Sequence, residues 1–350
     1  MKTLIRHSEL IAMACVILLL LAVFPLVLDP FRLNLMGKYM SFAFVAIGVV
    51  LTWGYGGILS LGQGIFFGMG GYMMAMFLKL EASAPELPDF MVWSSVEKLP
   101  LWWEPFHSFP FTVLLILTVP AVLAYLLSYA IFKKRVGGVY FAIVTLSLAL
   151  TMTVLIVGQQ GGTGGANGIT DFRTLLGMDI IGDDAKRVIY FVQSVAVSLA
   201  MLGALVVVRS RLGKILIAIR DREDRVRFSG YNTAHIKAFV FTLAAILSSV
   251  GGAFYSIQAG LIAPSVGGVA ASVEMVIYAA VGGRLSIPGA VVGALLIGFL
   301  KSYLSEIFPE IWLYFLGALF ILVVLVMPNG LAGLLDRLIR QRPIIIREAR

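Results

Sequence analysis

A chain of 350 residues with one cysteine and three histidines holds little from which to build a metal centre or a crosslink. Cys15 stands alone, so neither an intramolecular disulfide nor a cysteine cluster can form. His7, His107 and His235 fall in separate segments without ligand spacing. Charge is scarce too. Only 13% of residues are charged against 60% hydrophobic, and the mean hydropathy is +0.96. Soluble domains carry about 25% charged residues, so this composition marks a polytopic membrane protein. Nucleotide-binding loops are missing as well. Gly213 and Lys214 are followed by Ile215, with no glycine five positions earlier, so no GxxxxGK[ST] loop occurs. "LSLGQ" at 59–63 lies inside an apolar run and lacks the second adjacent glycine of the nucleotide-binding signature it echoes. "GGTGGANGITDF" at 161–172 misses GxGxxG at Asn167. The chain itself is expected to hold no cofactor and to hydrolyse no nucleotide.

What is present is apolar length. Runs near 10–28, 38–53, 60–78, 111–132, 139–157, 188–208, 234–257, 271–283, 288–304 and 311–327 predict an all-α protein with about ten transmembrane helices, within a range of eight to ten. Several are shorter than the roughly 20 residues of an upright span. The whole chain, 1–350, reads as one transmembrane domain. The first run follows Lys2, Arg6 and His7, but it is too long for a signal core and no small-x-small site follows Leu28. It reads as a retained anchor.

The net charge of +8 is distributed as a membrane topology rather than as a nucleic-acid surface. Residues 209–237 carry eight Lys/Arg against three acids, "KKR" stands at 133–135, and five arginines against two acids follow Met327. These stretches are expected in the cytoplasm, with both termini. Loops 79–109 (five acids, two lysines) and 158–187 (four acids, three bases) are expected outside. Trp93, Trp102 and Trp103 in the first of these read as interfacial anchors.

Glycine is abundant where a helix least favours it. "GYGGILSLGQGIFFGMGG" (54–71) holds eight glycines in eighteen positions, inside a stretch uncharged from Tyr39 to Leu78. Each costs up to about 1 kcal/mol relative to alanine in a water-exposed helix. In lipid, small residues let helices approach, and Gly64 and Gly68 form a GxxxG pair. Glycine also lets a helix break and turn its backbone toward a cavity. A second glycine-rich region, 278–298, places Gly282, Gly283, Gly289, Gly293 and Gly298 around Pro288. Interrupted segments in both halves point to a transport path, and plain close packing is the other reading. Ser60, Gly62, Gln63, Gly64 and the intramembrane acid Glu274 are the candidate path residues. So few ionisable groups in the spans favour an uncharged solute.

The longest basic loop, 209–236, reads as an amphipathic start with Ile215, Ile217 and Ile219, a charged block from Arg220 to Arg227, and a stop at Gly230. A short helix on the membrane face, offering charge to a soluble partner, fits this pattern, as does a solvated loop. "GKILIAIRDREDRVRFSGYNTAHIKAF" resembles the ATPase-coupling segment of the inner-membrane permeases of ATP-binding-cassette importers for branched-chain amino acids and urea. "GYGGILSLGQGIFFGMGGY", "MVIYAAVGGRLSIPGAVVGA" and "MPNGLAG" resemble that family's early-span, late-span and C-terminal motifs, so the likeness runs from 54 to 333. "SGYN" (229–232), "NGITDF" (167–172) and the acidic, tryptophan-bearing loop are more similar to the urea permease subunit than to its branched-chain amino-acid counterpart.

The resemblance implies a bacterial inner-membrane subunit that imports urea or, alternatively, branched-chain amino acids, and is not itself an enzyme. It implies a homologous second permease, two cytoplasmic ATP-binding subunits that use ATP and Mg, and a periplasmic solute-binding protein. Gly213, Arg220, Asp221, Glu223 and Gly230 would couple to the ATPase. A passive channel is the rival that would conduct without ATP, and an intramembrane enzyme lacks a gathered nucleophile and base. Leucine at Gly62 or Gly64 is expected to abolish uptake while the subunit still inserts, measured by labelled-solute uptake beside membrane immunoblotting.

Overall fold

The computed structural model describes residues 2–326 and 330–334. The start of "MPNGLAG", 327–329, and the tail from 335 onward lie outside the described residues. All ten apolar runs are helical. Among the described residues eight helices are long and apolar enough to span a bilayer: α1 (Glu9–Val27), α2 (Pro30–Tyr55), α3 (Gln63–Ser83), α4 (Phe109–Lys133), α5 (Val139–Gly158), α6 (Asp183–Arg209), α8 (Thr233–Ala259) and α10 (Ile287–Ile307). The basic segment forms α7 (Arg211–Phe228), and α9 (Val269–Gly282) and α11 (Trp312–Val326) are shorter apolar helices. The fold is therefore an all-α polytopic membrane bundle.

Two helices are mostly enclosed by the rest. α2 and α3 are 78% buried along their apolar windows, whereas α1 and α5 are 17% and 22% buried and stand at the periphery. Lipid tails are as apolar as the side chains, so close approach and hydrogen bonds must hold such a centre together. The small residues of α2, α3 and α8 provide both. A Cβ at Gly70 would overlap the Ser249 carbonyl, one at Gly252 the Phe67 carbonyl, and one at Gly251 the Ser41 carbonyl. The hydroxyl of Ser256 donates to the Gly71 carbonyl at 2.9 Å, and that of Ser249 to the Ile116 carbonyl of α4 at 2.7 Å. A buried amide chain ties α2 to α6 and α8. Gln193 donates to the Gly37 carbonyl and to Ser41 Oγ, both at 2.9 Å, and Gln258 donates to Gln193 at 3.1 Å.

The connections gather at two ends of the bundle. At one end Gly57 lies against Arg220, Gly54 against Arg284, and Gly137 near Lys237. At the other, Glu81 accepts from the amides of Leu176 and Gly177, and Ile169–Thr170 pairs antiparallel with Leu261–Ile262. Trp93 and Trp102 are exposed there at 82% and 49%, but Trp103 is fully buried. The expectation of an interfacial role fails for Trp103 because its indole N–H donates to the Gly162 carbonyl at 3.0 Å, which lets the ring enter the core.

Gly252→Ala is expected to lower stability by about 1–3 kcal/mol through overpacking against the Phe67 carbonyl. Gly203→Ala, where an added Cβ meets nothing within 4 Å, should leave the thermal-unfolding midpoint in nanodiscs unchanged.

Candidate functional site

No charge interrupts 39–78, but the helix stops within it, close to the gap between the apolar runs 38–53 and 60–78. α2 ends in a π-helical turn, Val50–Tyr55, and residues 56–62 continue without helix. Ile58, Ser60 and Gly62 are buried in this stretch, and Thr145 Oγ1 of α5 accepts from the Leu61 amide at 3.2 Å. α3 then begins at Gln63, level with Ser248 near the midpoint of α8. Ser248 donates to Gln63 Oε1 at 3.0 Å, while Gln63 Nε2 is buried with no partner. α9 begins at the same level. The residues before it, Pro264–Gly267, form a 3-10 turn, and Ser272 in its first turn accepts from the Gly64 amide at 3.2 Å. α3 and the shorter α9 thus start within the bundle and run to opposite ends. Neither start, at Gly62 or Gly268, has a side-chain cap. Opposed helix N-termini concentrate partial positive charge at that level.

Gly64 and Gly68 do not pair with a helix as the GxxxG spacing suggests. They pack on Gly267, so the break before α9 occupies the groove they leave. A leucine at Gly62 would overlap the Thr145 carbonyl, and one at Gly64 would overlap Ser272 and Gly267. Such a substitution therefore acts on packing at the break. Ser60, Gly62, Gln63 and Gly64 are brought together. Glu274 lies on another face of α9.

Glu274 is 6% exposed and has partners that the sequence reading missed. Lys301 Nζ of α10 donates to both its oxygens at 2.9 Å, and the hydroxyl of Tyr278 donates to Oε1. Phe42 stands beside this group near the midpoint of α2. Its ring centroid lies 5.4 Å from that of Tyr278, 5.5 Å from that of Tyr255 and 5.1 Å from that of Phe67. The spans therefore contain a closely paired charge at Glu274 and Lys301, and the inference of an uncharged solute from scarce ions loses its basis. A signal existed: between Val269 and Leu304 the charged residues are Glu274, Arg284 and Lys301, and Arg284 falls in the turn between helices.

α7 is positioned by its own period and by two polar contacts. Gly213, Leu216 and Ile219 are buried at helical spacing, which replaces the alternating isoleucines of the sequence reading. Gly213 fits against the Val208 carbonyl, where a Cβ would overlap. Arg220 Nη1 donates to the Gly54 carbonyl at 2.8 Å, while its Nε donates to Asp221 at 3.1 Å. Tyr55 donates to the Leu285 carbonyl at 3.0 Å, and Arg284 lies over the Trp53 ring. The turn after α9 is thereby held to the same few residues. The helix kinks at Arg222 (φ −153°, ψ 81°) and ends before Gly230 (φ +87°).

Glu223 is engaged within the chain. Its carboxylate pairs with Lys237 and Arg227, both at 3.1 Å, and accepts from Thr233 Oγ1 at 3.0 Å. Burial pushes the carboxyl upward, but Lys237, Thr233 and Arg227 together outweigh it and hold Glu223 below its ordinary value. This clamp of α7 on α8 is therefore fully present above about pH 4.3 and is lost as pH falls through the lower, folded-state value. Glu223→Gln should cost about 1 kcal/mol of local protection, visible as about fivefold faster amide hydrogen exchange across 211–228 in that variant.

The sequence signature described as branched-chain amino acid transport system / permease component matches residues 31–324. The high-affinity branched-chain amino acid transport system permease protein LivM of Salmonella typhimurium is 25% identical over 340 residues, covering 90% of this chain and 73% of that one. The corresponding permease BraD of Pseudomonas aeruginosa is 24% identical over 84% of this chain and 92% of its own length. The ribose import permease protein RbsC of Haemophilus influenzae is 27% identical over 35% of this chain and 39% of its own. No solved structure matches. These relatives are transport permeases rather than enzymes, and they favour branched-chain amino acids over the urea suggested by the loop motifs, which they do not support. The chain belongs to the permease component family of branched-chain amino acid transport systems.

Proposed function

We propose that this chain is one permease subunit of an ATP-driven importer of branched-chain amino acids in a bacterial inner membrane, with its basic end and both termini in the cytoplasm. The observation that supports this most directly is the grip of Arg220 on the Gly54 carbonyl. That contact joins α7, whose surface beyond the kink is charged and exposed, to the residues that lead into the break before α3. A soluble ATPase that moved α7 would pull on 54–57, and through Tyr55 and Leu285 on the turn after α9. α3 and α9 would then move against the peripheral spans. Gly213 and Gly230 allow this helix to seat and end, Asp221 orients the arginine, and Glu223 fixes the hinge with α8. Ser60, Gly62, Gln63, Gly64 and Glu274 belong to the moving centre.

On this reading the working assembly contains a homologous second permease, two cytoplasmic ATP-binding subunits that carry the ATP and Mg chemistry, and a periplasmic solute-binding protein. Specificity is shared with that binding protein. The scarcity of charge reflects mutual neutralisation inside the chain, so a zwitterionic amino acid is as compatible with these spans as a neutral amide. The bulk of a branched aliphatic side chain also suits the aromatic surroundings of Tyr278.

The test is labelled-leucine accumulation in proteoliposomes that hold the complete complex and the binding protein. Leucine should accumulate only with ATP and active ATPase subunits. Arg220→Ala should cut accumulation about tenfold with assembly retained, because the acceptor Gly54 carbonyl is left without its donor. Leucine entry that persists with an inactivated ATPase points instead to a channel, and accumulation of labelled urea in its place overturns the amino-acid reading.

A further inference from the structure

The bundle has one well-defined ion pair between two of its central helices. Glu274 on α9 and Lys301 on α10 meet through both carboxylate oxygens at 2.9 Å. α9 and α10 do not need this pair in order to pack. Gly282, Gly289 and Gly293 already bring the two backbones together so closely that a Cβ on any of them would overlap the neighbouring helix. A charge pair in a low-dielectric centre is costly to create, and well-packed neutral residues are often equally stable there. Its presence calls for another role.

Two further features narrow that role. Lys301 sits on the inward side of α10, away from the exposed stripe of Val292, Leu296, Phe299 and Tyr303, yet its side chain keeps 36% of its surface accessible. The lysine end of the pair is therefore accessible while the carboxylate end is buried, and the pair lies off the outward stripe of α10. Beside it lie Tyr278, Tyr255 and Phe42, an apolar and aromatic wall at the level where α3 and α9 begin. A free α-amino acid carries one ammonium and one carboxylate on a single carbon, with its side chain projecting away.

We propose that Glu274 and Lys301 form the polar half of a transient intramembrane subsite for the amino-acid zwitterion. The substrate ammonium takes the place of Lys301 on the Glu274 carboxylate, and the substrate carboxylate takes the place of Glu274 on the Lys301 ammonium. Every charge stays paired before, during and after the exchange, so no unpaired ion is created in the bilayer. Tyr278 keeps Glu274 oriented through its hydroxyl, and the aromatic wall accepts the branched side chain. The inference rests on the reading of this chain as an amino-acid permease. It differs from that reading by assigning selectivity to this subunit as well as to the binding protein.

The experiment uses the complete complex in proteoliposomes with its binding protein and labelled leucine. The variant is the neutral pair Glu274→Gln with Lys301→Met, which removes both members of the pair together. It should assemble with an unchanged thermal-unfolding midpoint, while leucine accumulation falls about tenfold or more and the KM of uptake rises. The swapped pair, Glu274→Lys with Lys301→Glu, keeps the ion pair but inverts it against the aromatic wall, and its uptake should stay depressed. Normal uptake by either double variant overturns the inference and leaves the pair a structural tie. Failure of both to assemble overturns it in the same way. If the unaltered complex accumulates no leucine, the amino-acid reading fails first, and the two failures are thereby told apart.

Discussion

Inside lipid, a helix gains nothing by hiding an apolar face from its surroundings, and the rest of this structure depends on how that constraint is met. The centre is held by backbone approach and by hydroxyl or amide hydrogen bonds across helices. Gly70 with Ser249, Gly252 with Phe67 and Gly251 with Ser41 permit the approach. Ser248, Ser249, Ser256 and Gln193 supply the hydrogen bonds. A centre built this way can tolerate interrupted helices, because the groups a break sets free lie among protein partners. Leu61 finds Thr145, and Gly64 finds Ser272. The same glycines that seem ill suited to a span are therefore what allows α3 and α9 to begin in the interior.

Charge obeys a related rule. Three lysines in or near the spans have acidic partners: Lys79 with Asp89, Lys237 with Glu223, and Lys301 with Glu274. The first two lie toward opposite ends of the bundle, where they fasten a connection to a helix. The third lies between two central helices and holds no loop. Position distinguishes it from the fastening pairs.

Much of this architecture was legible in the sequence, and what was missed has definite causes. All ten helices follow from apolar length, since hydropathy reports the preference of a side chain for lipid regardless of its neighbours. The interruption between α2 and α3 showed as the gap between the runs 38–53 and 60–78, but its buried course through 56–62 did not, since Ile58, Leu59 and Leu61 are as apolar outside a helix as inside one. The glycine content signalled only that something other than an ordinary helix was present. Glu274 stood out as an acid in an apolar segment, but Lys301 was not connected to it, although few other charges lie nearby. The direction of Glu223 was unreadable because its partners, Thr233 and Lys237, lie beyond the Gly230 turn and meet it only once α8 folds back. Trp103 was misplaced because the carbonyl that receives its N–H, that of Gly162, belongs to a loop far along the chain.

Arg220 grips a main-chain oxygen, which has a bearing on how this joint can vary over time. No replacement of a side chain at position 54 can remove the acceptor, since every residue carries the same carbonyl. Yet position 54 has no room for anything larger, because a Cβ there would run into the carbonyl of Arg284. One side of the joint is thus immune to chemical change and the other is frozen by shape. Any drift in how strongly α7 holds the interior must come through the arginine itself.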